Sequence, residues 1–162
     1  MMNIKKCDNK GFSLVELIIV IAIMAVLVGV LAPAYLRYVE KSRKSADVQA
    51  VDAVMRAMEA AAIDPSINVT DGTVIKVQLT NTAKLQGTSF ICRENGKVIT
   101  ELQETLGAYQ LKSKDWGKII IQGTVSGGQV TFKFNEDAPD GKGLLDYTSD
   151  MTIIKDDSVT FQ

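Results

Sequence analysis

Apolar and polar positions divide this chain into regimes. Residues 1–11, MMNIKKCDNKG, are short, polar and basic. Residues 17–36 follow as twenty positions without a charge. At about 1.5 Å of rise per residue such a run makes a helix about 30 Å long, the thickness of a bilayer's hydrocarbon core. Residues 37–63 regain charges but keep a helical period. Val48, Val51, Met55, Met58 and Ala62 recur at spacings of three and four, flanked by Asp47, Asp52, Arg56 and Glu59. Such a stripe is expected to pack on a folded domain rather than to hold a ligand. From residue 37 no glycine or proline intervenes until Asp64-Pro65, and the residue before a proline disfavours helical dihedrals. The pattern predicts one helix from about Ser13 to Ala62, about 50 residues and about 75 Å long.

Beyond residue 65 the period falls to two. Ile75, Val77 and Leu79 alternate behind an Asp71-Gly72 turn signal. Residues 90–99 predict a hairpin around Glu94-Asn95-Gly96, because Asn-Gly favours positive-φ turns. Residues 100–110 read as a short helix, with Thr100 and Gln103 in capping-box spacing. Residues 117–122 and 129–134 flank Gly127-Gly128 as a hairpin, with Val130, Phe132 and Phe134 on one side. Residues 151–154 and 158–161 predict a last hairpin over Lys155-Asp156-Asp157. An antiparallel sheet of four or more strands is expected against the helix stripe, so the fold class is α+β.

Composition narrows the chemistry. The 162 residues, 46% hydrophobic, suit one core-bearing domain plus one membrane-length helix. The net charge is −1; without residues 1–11, which hold Lys5, Lys6, Lys10 and Asp8, 15 basic and 18 acidic side chains remain. That balance argues against nucleic acid as the main partner. The sequence has no histidine, which removes histidine-dependent triads and metal sites. Of two cysteines, Cys7 lies in the leader and Cys92 reads as a buried strand residue. Trp116 is expected in sheet packing. The turn-rich segment from Asn135 to Gly141 is read as a solvated loop; calcium is the alternative, without EF-hand spacing. No catalytic residue, metal site or cofactor is assigned.

The apolar run carries features that a plain anchor lacks. Glu16 sits at its start, and a carboxylate at hydrocarbon costs about 2.5–3.5 kcal/mol, so a partner is expected. The alternative is a headgroup-level carboxylate without one. Ala22, Ala25, Gly29 and Ala32 share one helical face, and Ala25-x-x-x-Gly29 permits close approach of another helix. Ordinary alanine abundance explains the same positions equally well. Pro33 removes the donor for the Gly29 carbonyl, predicting a kinked but continuous helix. Lysines before the run and Arg37, Lys41, Arg43 and Lys44 after it leave orientation unsettled by charge.

The stretch Gly11-Phe12-Ser13-Leu14-Val15-Glu16-Leu17, continued as IIVIAIMAVLVGVLAPAY, resembles the class III signal peptide of type IV pilins and their relatives. The resemblance covers roughly residues 1–63. It implies the type IV pilin fold, with a long N-terminal helix, half membrane-spanning and half packed on a C-terminal antiparallel β domain. The implied divisions are a cleaved leader at 1–11, a membrane and filament-core helix at 12–36, its amphipathic continuation at 37–63 and a β-rich head at 64–162. It further implies cleavage by a prepilin peptidase between Gly11 and Phe12, with N-methylation of Phe12. Glu16 would then pair with the Phe12 amine of a neighbouring subunit and set axial register. The implied partners are copies of the chain itself, the peptidase, an assembly ATPase and a membrane platform protein. The implied location is the cell membrane first and a surface pilus afterwards. Many Gram-negative pilins staple a C-terminal loop with a disulfide; a processed chain keeping only Cys92 departs from that, and looks more like pilins of Gram-positive anaerobes. A pseudopilin of a secretion or DNA-uptake machine, or a minor pilin, would share these residues. An uncleaved signal anchor, or a single-pass membrane enzyme or binding module, is the reading from another class. The missing histidine and missing nucleophile–base cluster speak against an enzyme.

Overall fold

A computed structural model describes residues 12–67, 69–81, 90–106, 109–138, 143–148 and 152–161. The leader, the 139–141 part of the acidic loop and Met151 lie outside these. The chain divides into two compact units, Met1–Val39 and Glu40–Gln162.

Helix α1 runs over Leu14–Ile63, 50 residues, within one residue of the expected bounds. It continues through Pro33 and stops where Pro65 demands it. Asp64 Oδ1 then accepts from the Ser66 N–H at 2.8 Å and the Ser66 hydroxyl at 2.7 Å, starting a 3-10 turn at Pro65–Ile67.

In the second unit, strands β1 (Val74–Thr80), β2 (Phe90–Glu94), β3 (Lys97–Val98), β4 (Lys118–Ser126), β5 (Gln129–Glu136) and β6 (Ile153–Lys155) form one sheet in the order β3-β2-β1-β4-β5-β6. Helix α2, Thr100–Leu106, follows β3. Both tight hairpins turn where residues tolerate positive φ: Asn95 at 41° with Gly96 at 88°, and Gly127 at 59° with Gly128 at 75°. The arrangement is α+β and matches the pilin fold.

Strand register aligns Cys92, Val77, Ile121 and Phe134 across β2, β1, β4 and β5. All four are fully buried, in one core with Val51, Val54 and Met58 of α1. Because side chains alternate along a strand, the neighbouring row Arg93, Lys76, Gln122 and Lys133 belongs to the opposite face. Gly123 stands on the inner face because a Cβ there would come within 2.9 Å of Val130 Cγ1 and 3.4 Å of Met58 Cε. Burial pushes the Cys92 thiol up to about 12, with the Glu94 charge adding to it, so this sulfur is a core atom rather than a nucleophile.

Three expectations are corrected. First, the buried stripe of α1 is centred on Lys44, Asp47, Val51, Val54, Met58 and Ala61, with Met55 beside it, while Val48 and Ala62 are only half-buried. The shift places two charged residues inward. Second, the last segment is no hairpin: β6 pairs parallel with β5, Phe132 opposite Ile153, and residues 158–161 carry no strand. Parallel pairing needs a crossover connection rather than a tight turn. The expected antiparallel sheet of four or more strands is present as β3-β2-β1-β4-β5, and β6 extends it in parallel at one edge. Third, the Gln103 N–H donates to the Ile99 carbonyl at 3.0 Å, so Ile99, not Thr100, caps α2.

The inward charges of α1 hold the loop that leads into β4. Asp47 accepts from the backbone N–H groups of Lys112 at 2.7 Å and Ser113 at 2.8 Å. Glu40 Oε1 accepts from the Ser113 hydroxyl at 2.5 Å and from the Lys114 N–H at 2.9 Å. Lys44 pairs with Asp115 at 2.5 Å and lies over the rings of Trp116 and Tyr147. Burial raises the Asp47 pKa despite its two N–H bonds. Burial also opposes charge on Glu40 and Lys44, but their partners outweigh it: the Glu40 pKa lies below, and the Lys44 pKa above, the usual value.

Two measurements check this picture on the full chain in nonionic micelles. Asp47→Ala strands two N–H groups and should cost about 2 kcal/mol in thermal or urea unfolding. Asp52→Ala, which removes an exposed pair with Arg56, should cost well under about 1 kcal/mol. Equal losses would reject the loop-holding role. Asp156, bonded to Ser158 and Lys133, has its pKa lowered from 3.8 to about 2, the Ser158 hydroxyl contributing most. Its depressed pKa contributes stability above about pH 4 that is lost as pH falls towards 2. Asp156→Asn should flatten that part of the stability–pH curve.

Candidate functional site

At the amino-terminal end of α1 the backbone has orphan N–H groups, as every helix start does. The Leu17 N–H donates to the Ser13 carbonyl at 3.2 Å, which makes Ser13 the cap residue. Glu16 stands at the third helical position, and its Oε2 accepts from the Ser13 N–H at 2.9 Å. This is the glutamate half of a capping box, and it places a carboxylate in the first turn, where the helix dipole favours one. Ser13-Leu14-Val15-Glu16 spells that motif in the sequence, but Glu16 draws attention first as a charge beside hydrocarbon, and the capping role is missed. The carboxylate therefore has a local partner, which the sequence reading did not give it.

Phe12 is 84% exposed beside this cap. Gly11, the other side of the expected scissile bond, lies outside the described residues. In the intact chain Phe12 N is a peptide nitrogen, so pairing of Glu16 with a Phe12 amine belongs to a processed chain.

Residues 12–38 are exposed without exception. Eighteen consecutive residues of α1 pass the length and composition requirements for crossing a membrane, with none of that window buried. So large an apolar surface calls for lipid or another protein. Ala22, Ala25, Gly29 and Ala32 all lie in this exposed helix, and a Cβ on Gly29 would meet nothing within 4 Å. Pro33 sits inside the same helix without breaking it.

The remaining candidates fall to structural roles. Trp116 is fully buried, edge-to-face with Tyr147 at 5.9 Å. Asn135 and Glu136 belong to β5 rather than to a loop. Glu136 accepts from the Leu144 N–H at 2.7 Å and faces Lys155 at 3.5 Å, so its oxygens are engaged within the protein. Among the described residues no three metal-ligating side chains converge.

Residues 6–32 match the family model for the prokaryotic N-terminal methylation motif, the class III signal peptide of type IV pilins. No curated protein and no solved structure matches the chain. The motif is that of type IV pilin-like and pseudopilin precursors, structural proteins anchored in the membrane before assembly. It implies processing by a prepilin peptidase.

The open space around Gly29 gives a direct check. Gly29→Ala should stabilise the helix of the isolated subunit by up to about 1 kcal/mol, read as a higher far-UV melting midpoint in micelles. A lower midpoint would mean that Gly29 already touches something in the single chain.

Proposed function

We propose that this chain is a type IV pilin, made as a membrane-anchored prepilin and polymerised into a surface fibre. The observation that carries the reading is the methylation motif at residues 6–32, together with an uncharged helical segment at 17–36 that has no cover in the single chain. In this reading residues 1–11 are the leader, residues 12–36 the membrane and filament-core segment, residues 37–63 its amphipathic continuation and residues 64–162 the β-rich head.

Cleavage after Gly11 frees a cationic amine on Phe12, which the peptidase methylates. Gly11 leaves the scissile bond sterically open. Once subunits leave the bilayer, apolar helices that pack on one another withdraw surface from water, at about 25 cal/mol per Å². That term has no direction and does not fix how far one helix slides along the next. A single carboxylate among apolar residues does, because misalignment leaves it unpaired. Glu16 can cap its own helix and still serve this purpose. Oε2 takes the Ser13 N–H, and a carboxylate has further lone pairs for a neighbour's Phe12 amine. Ala22, Ala25, Gly29 and Ala32 let neighbouring helices approach, and the unpaired Gly29 carbonyl ahead of Pro33 marks where the helix is weakest. The assembly ATPase and platform protein are partners by the same reading. No cofactor enters, and no step is catalytic.

Two substitutions separate capping from register. Glu16→Ala removes both, whereas Glu16→Gln keeps an acceptor for the Ser13 N–H but removes the charge. Both variants should insert into membranes and be processed, yet be depleted at least about tenfold from material sheared off the cell surface, a ratio equal to about 1.4 kcal/mol. The wild-type chain should give an abundant sheared peptide beginning at N-methylated Phe12. Normal fibres from Glu16→Gln would reject the register role. Processed wild-type chain confined to membranes would favour a pseudopilin, and a retained leader would favour a plain signal anchor.

A further inference from the structure

The outer face of the sheet carries a feature that lies outside the segment 12–36 assigned above to assembly. Arg93 on β2 and Lys76 on β1 are directly opposed, and Gln122 on β4 continues the row. Like charges facing each other across strands are destabilising unless something neutralises them. Lys133, next in the row, has Asp156 at 2.9 Å. Among the described residues neither Lys76 nor Arg93 has a carboxylate partner.

The carboxy-terminal segment turns this pair into a cavity. Asp156 and Ser158 make a tight turn, and Asn135 Nδ2 then donates to the carbonyls of Asp157 at 3.2 Å and Val159 at 3.0 Å. Farther on, Lys76 Nζ donates to the Thr160 carbonyl at 2.9 Å, and the Phe161 ring centroid lies 5.2 Å from the Arg93 guanidinium carbon. Val159 of this strap is buried. The result is a cavity of about 400 Å³ lined by Lys76, Arg93, Asn95, Gln122 and Phe161 among others, within the size range of small-molecule sites. Arg93 Nε itself is buried with no hydrogen-bond partner, which leaves the outer nitrogens of the guanidinium as the donors available to a ligand. Asn95 Oδ1 accepts from the Val74 N–H at 3.2 Å, which fixes the side-chain amide at the rim.

We propose that this cavity binds a small sugar bearing an oxyanion, phosphate or carboxylate. The guanidinium supplies planar donors and the ammonium a compact charge, the pair that suits an oxyanion. A bound oxyanion would relieve the repulsion between Lys76 and Arg93. The volume exceeds that of an ion alone, and the amides of Asn95 and Gln122 suit hydroxyl groups.

The test is calorimetric titration of the full chain in a polyoxyethylene detergent, which has no sugar headgroup. The probes are glucose 1-phosphate, glucuronate, inorganic phosphate and glucose. At least one charged sugar should saturate the site at millimolar concentration or below, and bind at least about tenfold more tightly than glucose. Phosphate and glucuronate arms then identify which oxyanion is preferred. Arg93→Gln and Lys76→Gln should each weaken binding at least about fivefold, while Lys133→Gln, in the same row but already paired, should not. Unchanged near-UV dichroism certifies that each variant is folded, and either cation variant suffices if the other fails to fold. No saturation by either charged sugar, equal binding of glucose, or an equal loss in Lys133→Gln would overturn the proposal.

Discussion

The folded unit depends on one row of side chains. Cys92, Val77, Ile121 and Phe134 sit at the same level on four adjacent strands and close over Val51, Val54 and Met58 of α1. Register and burial are one constraint here. A slip of one residue in any of these strands would bring an outer-row residue such as Lys76, Arg93 or Gln122 into the core, at a cost that no hairpin turn can offset. Gly123 follows from the same packing, since Val130 and Met58 already occupy the space of a side chain. The two positive-φ hairpins fix the register locally; the core row enforces it globally.

The other half of α1 obeys the opposite rule. Its apolar residues find no cover within the chain, so sequence and function are linked there by what is missing rather than by what is packed. In the proposed fibre, one charge at the helix start would give such a surface an address along its axis. The glutamate stands at a position where capping already makes it favourable. A carboxylate at the third helical position contributes to helix initiation before any partner arrives, and the same oxygens remain open to a cation.

Charge is handled differently on the two faces of the second unit. On the helix side, Glu40, Lys44 and Asp47 are turned inward and each meets a group of the loop at residues 112–115. Their role is to position backbone, since truncating one partner of a buried polar contact costs more than the contact contributes. On the outer face, Lys133 is neutralised by Asp156, while Lys76 and Arg93 face each other under the carboxy-terminal strap. Within that outer row, among the described residues, Lys133 has a carboxylate partner and the opposed Lys76 and Arg93 do not.

The sequence by itself determined whatever depends on neighbours along the chain. Twenty uncharged residues are long enough to span a bilayer wherever they fold, Asn95-Gly96 and Gly127-Gly128 turn because of their own dihedral freedom, and Pro65 ends a helix by sterics alone. The methylation motif is equally local, which is why Gly11, Phe12 and Glu16 stand out without a structure. Even the cap at Ser13 was spelled in four adjacent residues. Tertiary structure decided what depends on distant partners. Asp47 read as a flank of the apolar stripe and Lys44 as one of the cations after the uncharged run, until Lys112, Ser113 and Asp115 arrive from more than sixty residues away. The last segment read as a hairpin because its turn residues are real, yet β6 found β5 in parallel and Asn135 captured the remaining backbone with its side chain. The opposition of Lys76 and Arg93 is likewise a fact of register between strands, and no spacing within either strand announces it. Periodicity reports which face of an element is apolar; only the folded chain reports what that face, or its reverse, comes to meet.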